Sequence, residues 1–157
     1  VPSLDDNRLR QLSERCGWHL KNGVLEREGA RAINVRRGAF RAVLQHSDLV
    51  IGMAGTAIEQ AVGLAKPVLQ VPGQGPQFTA GFAEAQRRLL GPTVFCADGE
   101  SGSREALERT AVLAMALLER ARRDPGLQRQ CQKEAKWRLG EAGGGLRMAT
   151  AIDALLP

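Results

Sequence analysis

Ser47-Asp-Leu-Val-Ile-Gly-Met-Ala-Gly-Thr-Ala-Ile-Glu-Gln-Ala-Val-Gly-Leu-Ala-Lys-Pro-Val-Leu-Gln-Val-Pro-Gly-Gln-Gly-Pro-Gln77 decides the fold. It reads as strand, glycine turn, helix, strand and glycine loop, with almost no charge inside. Leu49-Val50-Ile51 is apolar without alternation, as a parallel strand covered on both faces requires. A helix over 56–64 and a second buried strand over 67–71 complete the unit. Strand ends in such a unit aim backbone N–H groups at a ligand, here read as the diphosphate of a nucleotide.

Working outward, the spacing predicts helices over 4–16, 40–46, 78–90, 104–123, 125–139 and 146–156. Leu4, Leu9 and Leu12 mark one face of the first, and the second carries Phe40, Val43 and Leu44. Phe82 and Leu89 are expected inward in the third, and Leu107, Ala111, Ala114, Leu117 and Leu118 in the fourth. Short strands are expected over 18–20, 23–28, 32–35 and 93–96, with Lys21-Asn22-Gly23 as a turn. Strands alternating with helices imply an α/β fold with a right-handed, doubly wound, Rossmann-like parallel sheet in a single domain over 1–157.

The 157 residues are enough to bury a real core, and 43% hydrophobic with 25% charged residues is ordinary for a globular protein. The net charge is +5, yet residues 51–100 hold only Lys66, Arg87 and Arg88 against Glu59, Glu84, Asp98 and Glu100. The basic surplus sits on the flanks, and aromatic content is 4% with no Tyr, which argues against nucleic acid. The flanking charge reads as a solvated face, with a peripheral contact to acidic headgroups, for instance at Arg120–Arg123, as the alternative. Cys16, Cys96 and Cys131 are far apart and show no metal spacing, so a reduced, cytoplasmic setting is expected, with no metal and no cofactor. No apolar run approaches a membrane span. Val1-Pro2 reads as the tail of an earlier element, so a fragment of a longer polypeptide is expected.

Three constellations bear on chemistry. Ala54-Gly55-Thr56 follows one strand and opens a helix, which makes an anion site from free amides and the helix dipole. Its plainer reading is a tight turn without a ligand. Glu59 suits the two hydroxyls of a ribose, but Thr56 and Glu59 also have capping-box spacing. Gln60 is a second polar contact or a surface residue. Pro72-Gly73-Gln74-Gly75-Pro76-Gln77 forms a stiff loop after the next strand, its glutamines suited to sugar hydroxyls. Arg36-Arg37-Gly38 sits at another strand end, bordering a base or phosphate, or simply solvated. Neither His19 nor His46 has a Ser or Cys partner at triad spacing.

Gly55-Thr-Ala-Ile-Glu-Gln60, Gly63-Leu-Ala-Lys-Pro67, Pro72-Gly73, Gly75-Pro-Gln-Phe-Thr79, Phe82-Ala-Glu-Ala-Gln86 and Arg88-Leu-Leu-Gly91 together resemble the lipid-A-disaccharide synthase-related family. These GT-B glycosyltransferase-like proteins are similar also to the peptidoglycan N-acetylglucosaminyl transferase. The resemblance covers roughly residues 38–91. It implies that the chain is most of the carboxyl-terminal, donor-binding domain of a two-domain enzyme, with the acceptor site and general base in the other domain. It implies that Ala54, Gly55 and Thr56 meet the diphosphate of a UDP-sugar (UDP-GlcNAc-like), Glu59 and Gln60 the ribose side, and Gly73, Gln74, Gly75, Pro76 and Gln77 the sugar. Val35 and Arg36 would lie near the base. The implied reaction is metal-independent, inverting transfer to a lipid or saccharide acceptor. Rival readings are a nucleotide-sugar epimerase, a non-catalytic nucleotide-binding or interaction module, and a dinucleotide oxidoreductase. The last lacks its G-x-G-x-x-G turn, since Gly52-Met-Ala-Gly55 has the wrong spacing.

Overall fold

The computed structural model describes residues 5–53, 55–71, 73 and 79–155. The chain divides into two compact units, Val1–Val43 and Leu44–Pro157.

In the first unit, α1 (Asp6–Glu14) is capped by Asp5, whose carboxylate accepts from the Arg8 amide at 2.7 Å. Next come β1 (His19–Lys21), β2 (Val24–Glu26) and β3 (Ile33–Asn34), an antiparallel sheet in chain order. Lys21 pairs with Val24, so Asn22-Gly23 is a two-residue hairpin loop, and both residues have positive φ, 49° and 73°. That is the turn whose twist matches the strands, and Asn-Gly is its preferred sequence. These three strands therefore stand apart from the parallel sheet: a two-residue loop joins antiparallel neighbours, whereas parallel ones need a long crossover. Arg37 closes back on Asp6 at 2.6 Å.

The division between the units falls within α2 (Phe40–His46). The second unit is mixed α/β. It runs β4 (Val50–Gly52), α3 (Thr56–Gly63), β5 (Val68–Gln70), α4 (Ala80–Leu90), β6 (Val94–Cys96), α5 (Arg104–Arg123), α6 (Pro125–Leu139) and α7 (Gly144–Asp153). Its three strands form a parallel sheet in the order β4-β5-β6. Register aligns Val50, Val68 and Val94 in one row, then Ile51, Leu69 and Phe95, then Gly52, Gln70 and Cys96. Alternation sends the valine row to one face, where it packs with Leu44, Ile58, Ala61, Val62 and Leu90 from α2, α3 and α4. Leu69 and Phe95 face the other side, against Leu113, Ala114 and Leu117 of α5. Ile51 in the same row is 57% exposed, so β4 is not covered on both faces as its apolar run predicts. Val68 and Leu69 are 0% exposed, so β5 is the covered middle strand that its unbroken apolar run predicts. α6 packs along α3 and seats Leu127 and Cys131 against Ala121.

Several inward faces differ by one residue from the expectation. On α4, Leu90 is buried and Leu89 lies 64% exposed, with Phe82 only half-buried. On α5, Ala114, Leu117 and Leu118 are covered as expected, but Leu107 and Ala111 face outward and Ala106, Thr110, Leu113 and Ala121 are covered instead. On α2, Leu44 is buried and Phe40 and Val43 are exposed. In each helix the sheet selects the stripe, and residue size does not. α7 begins at Gly144, two residues earlier than the spacing suggests, and has no buried side chain. Among the described residues no helix is long and apolar enough to cross a membrane.

Candidate functional site

β4 ends at Gly52, beside Gln70 on β5, in the last row of the ladder. A Cβ at Gly52 would lie 2.6 Å from Cδ1 of Ile58, so glycine here lets α3 start close against the strand. Gly55 follows with φ 86° and ψ −165°, a conformation that is essentially glycine-only. Among the described residues, nothing beyond its chain neighbours lies within 4 Å of an added Cβ.

Gly55 is the N-cap of α3 and no side chain caps the helix. Thr56 is the first helical residue, so the capping box that its spacing with Glu59 allows does not form. Three residues past the cap stands Ile58, whose amide bonds the Gly55 carbonyl at 2.9 Å. That leaves the Thr56 and Ala57 amides without an acceptor among the described residues, and with the helix dipole they favour an anion. Gly55 and Glu59 are half-buried, while Thr56 and Gln60 are exposed on the same first turns. Gly73 lies half-buried just beyond β5. Gly55 and Gly73 thus follow the carboxyl ends of the neighbouring strands β4 and β5, where open parallel sheets bind ligands. Ala54, Gln74, Gly75, Pro76 and Gln77 lie outside the described residues. Val35 and Arg36 belong to the first unit. The Val35 amide bonds the Gly23 carbonyl at 2.8 Å, and Arg36 folds back on Val35 O and Asn34 Oδ1.

Two glutamines that the motif reading passes over underlie this turn. Gln70 is 0% exposed, and its Nε2 donates to Met53 O and to Gln86 Oε1, both at 2.9 Å. Gln86, on α4 and also buried, donates from Nε2 to Gly55 O at 3.3 Å. Gln70 Oε1 is buried without a partner, which costs about 1–3 kcal/mol. A lone polar residue in an otherwise apolar, doubly covered strand is the signal for such a site.

Beyond the glutamines, α4 is capped by Thr79, which accepts from the Phe82 amide at 3.2 Å. Glu84 is bonded by Arg87 at 2.6 Å and by Arg88 at 3.0 Å, which hold its carboxyl at a pKa of about 2. Folding thus gains from Glu84 only above its ordinary pKa of 4.5. That gain is lost progressively as pH falls from there toward 2, while the unfolded chain takes up the proton first. A carboxyl NMR titration should place its midpoint near 2, and Arg87→Ala should return it toward 4.5. Burial pushes the Cys96 thiol up and the Cys131 thiol up to about 11, so both stay protonated at neutral pH and neither is a ready nucleophile. Among the described residues no three His, Cys, Asp or Glu side chains are grouped to hold a metal ion.

A cavity of about 290 Å³ opens at the amino ends of β4 and β5, away from this turn. Its charged groups already have partners: Asp48 with Arg122 at 2.7 Å, and Lys66 Nζ with Gln45 O at 2.8 Å. No protein-family model, curated protein or solved structure matches this chain at a significant level.

Proposed function

We propose that this chain is the donor-binding domain of a GT-B-like glycosyltransferase related to the lipid-A-disaccharide synthase family. It takes a UDP-linked sugar for transfer to a lipid or saccharide acceptor. The observation that carries the reading is the uncapped start of α3 behind Gly55, whose glycine-only backbone suits close approach of a diphosphate. The sequential order β4-β5-β6 further supports it, since one half of a doubly wound sheet runs that way. The family-like stretch at 55–91 spans the same turn and helix.

In this reading the acceptor hydroxyl is deprotonated by a base in the other domain of the enzyme and attacks the anomeric carbon. The bond to UDP breaks, and the amides at Gly55–Ala57 stabilise the charge growing on the leaving diphosphate. One preorganised donor of this kind is worth about 3 kcal/mol in the transition state. Glu59 accepts hydrogen bonds from the ribose. The chain by itself binds the nucleotide and turns nothing over.

Amide NMR titration with UDP, and with ADP and NAD as controls, tests the proposal. Shifts centred on Gly55, Thr56, Glu59 and Gly73 with UDP alone are expected. An equal response to all three nucleotides, or none to any, would sink it. Glu59→Ala should weaken UDP binding about tenfold, the loss of one charged hydrogen bond, with melting unchanged because Glu59 caps nothing.

A further inference from the structure

The geometry points to Gln70 and Gln86 as a buried clamp that presets the α3 turn for its ligand, a role that rests on the diphosphate reading above. Together they take both the Met53 and the Gly55 carbonyls inward, one from β5 and one from α4. The Gly55–Thr56 peptide is trans, so in its plane the amide N–H points opposite to the carbonyl. Drawing the Gly55 carbonyl onto Gln86 and Ile58 N therefore turns the Thr56 N–H away from those two groups, out of the amino end of α3. The two side chains fix each other through Gln70 Nε2 and Gln86 Oε1, so neither amide can flip without losing a bond. Among the described residues two buried side-chain oxygens lack a partner, Thr93 Oγ1 at the amino end of the sheet and Gln70 Oε1, and the latter lies in the pair beneath the turn. An apolar side chain at 70 would remove this orphan but take the donor away from Met53 O and Gln86 Oε1. A polar group kept at a local loss belongs where the turn has a task. Both glutamines are positioning residues and do not touch the ligand.

The test uses the whole chain and UDP as the probe. First, UDP binding by the wild-type chain is measured; its absence overturns the diphosphate reading and this role with it. Next, Gln86→Met keeps the bulk of the side chain but removes both its donor and its acceptor. The UDP Kd should rise at least tenfold and the free-state Thr56 amide resonance should move. Leu90→Val, a core change on the same helix, is the control and should lower the melting temperature with Kd unchanged. A Gln86→Met protein that binds UDP within twofold of wild type, with Thr56 unmoved, overturns the clamp and leaves the diphosphate reading standing. Should Gln86→Met fail to fold, wild-type NMR still decides. Cross-peaks from the Gln86 side-chain amide to Gly55, with slow exchange of that amide, support the clamp, and their absence overturns it.

Discussion

Gly91→Ala is expected to lower the unfolding free energy by about 3 kcal/mol, summing backbone strain and overpacking. Gly91 ends α4 with φ 97° and ψ 179°, where an L residue is strained. A Cβ there would also run into the Glu134 carboxylate. Glu134 has little room to retreat, since its side chain is 13% exposed and is held by Arg138 at 3.1 Å. Arg138 in turn donates to the carbonyls of Arg88 and Leu89 at 3.1 and 3.0 Å, closing the end of α4. One methyl group thus disturbs both the helix end and its clasp to α6. Urea unfolding of Gly91→Ala in the wild-type and Glu134→Ala backgrounds separates the parts. With Glu134 truncated, only the backbone strain of about 1–3 kcal/mol should remain. An equal cost in both backgrounds would show that the collision carries no weight.

Gly55→Ala should act on binding as well as on folding. Its Cβ meets nothing within 4 Å among the described residues, so packing is spared, and strain in the glycine-only backbone is the sole folding cost, about 1–3 kcal/mol. The turn can shed that strain by rotating, which swings the Thr56 amide off its direction and breaks the Gln86 bond to Gly55 O. The added methyl also stands where a diphosphate would approach. Loss of one charged hydrogen bond with this crowding should weaken UDP about 100-fold. Calorimetric titration beside a melting curve measures both effects. Unchanged affinity with a lowered melting temperature would mean that the turn is structural only.

Much of the second unit is legible in the residues. Val68-Leu69 lacks alternation because both sheet faces are covered there, and the helix leading to it from Leu49-Val50-Ile51 is long enough for a parallel crossover. Leu49-Val50-Ile51 has the same pattern, yet Ile51 on the flanking strand is 57% exposed. The Asn22-Gly23 turn is equally plain, because its two positive φ values depend on local sterics. The stripes of α4 and α5 are less so. Leu89 and Leu90 are chemically alike, and so nearly are Ala106 and Leu107. Which of each pair is buried depends on how the helix is rolled on the sheet, about 100° per residue.

The candidate site divides in the same way. The sequence by itself determined a strand, a glycine turn and a helix start at 49–56, because backbone sterics and hydrophobic run length act over a few residues. Only the tertiary structure decided that Gly55, and not Thr56, caps α3, and that Glu59 is thereby free of a capping role. It alone brought Gln70 and Gln86, sixteen residues apart, into one hydrogen-bonded pair beneath the turn. It also set the first three strands into an antiparallel sheet of their own. Those outcomes depend on partners distant in the chain, whose burial and hydrogen bonds exist only once the elements have packed.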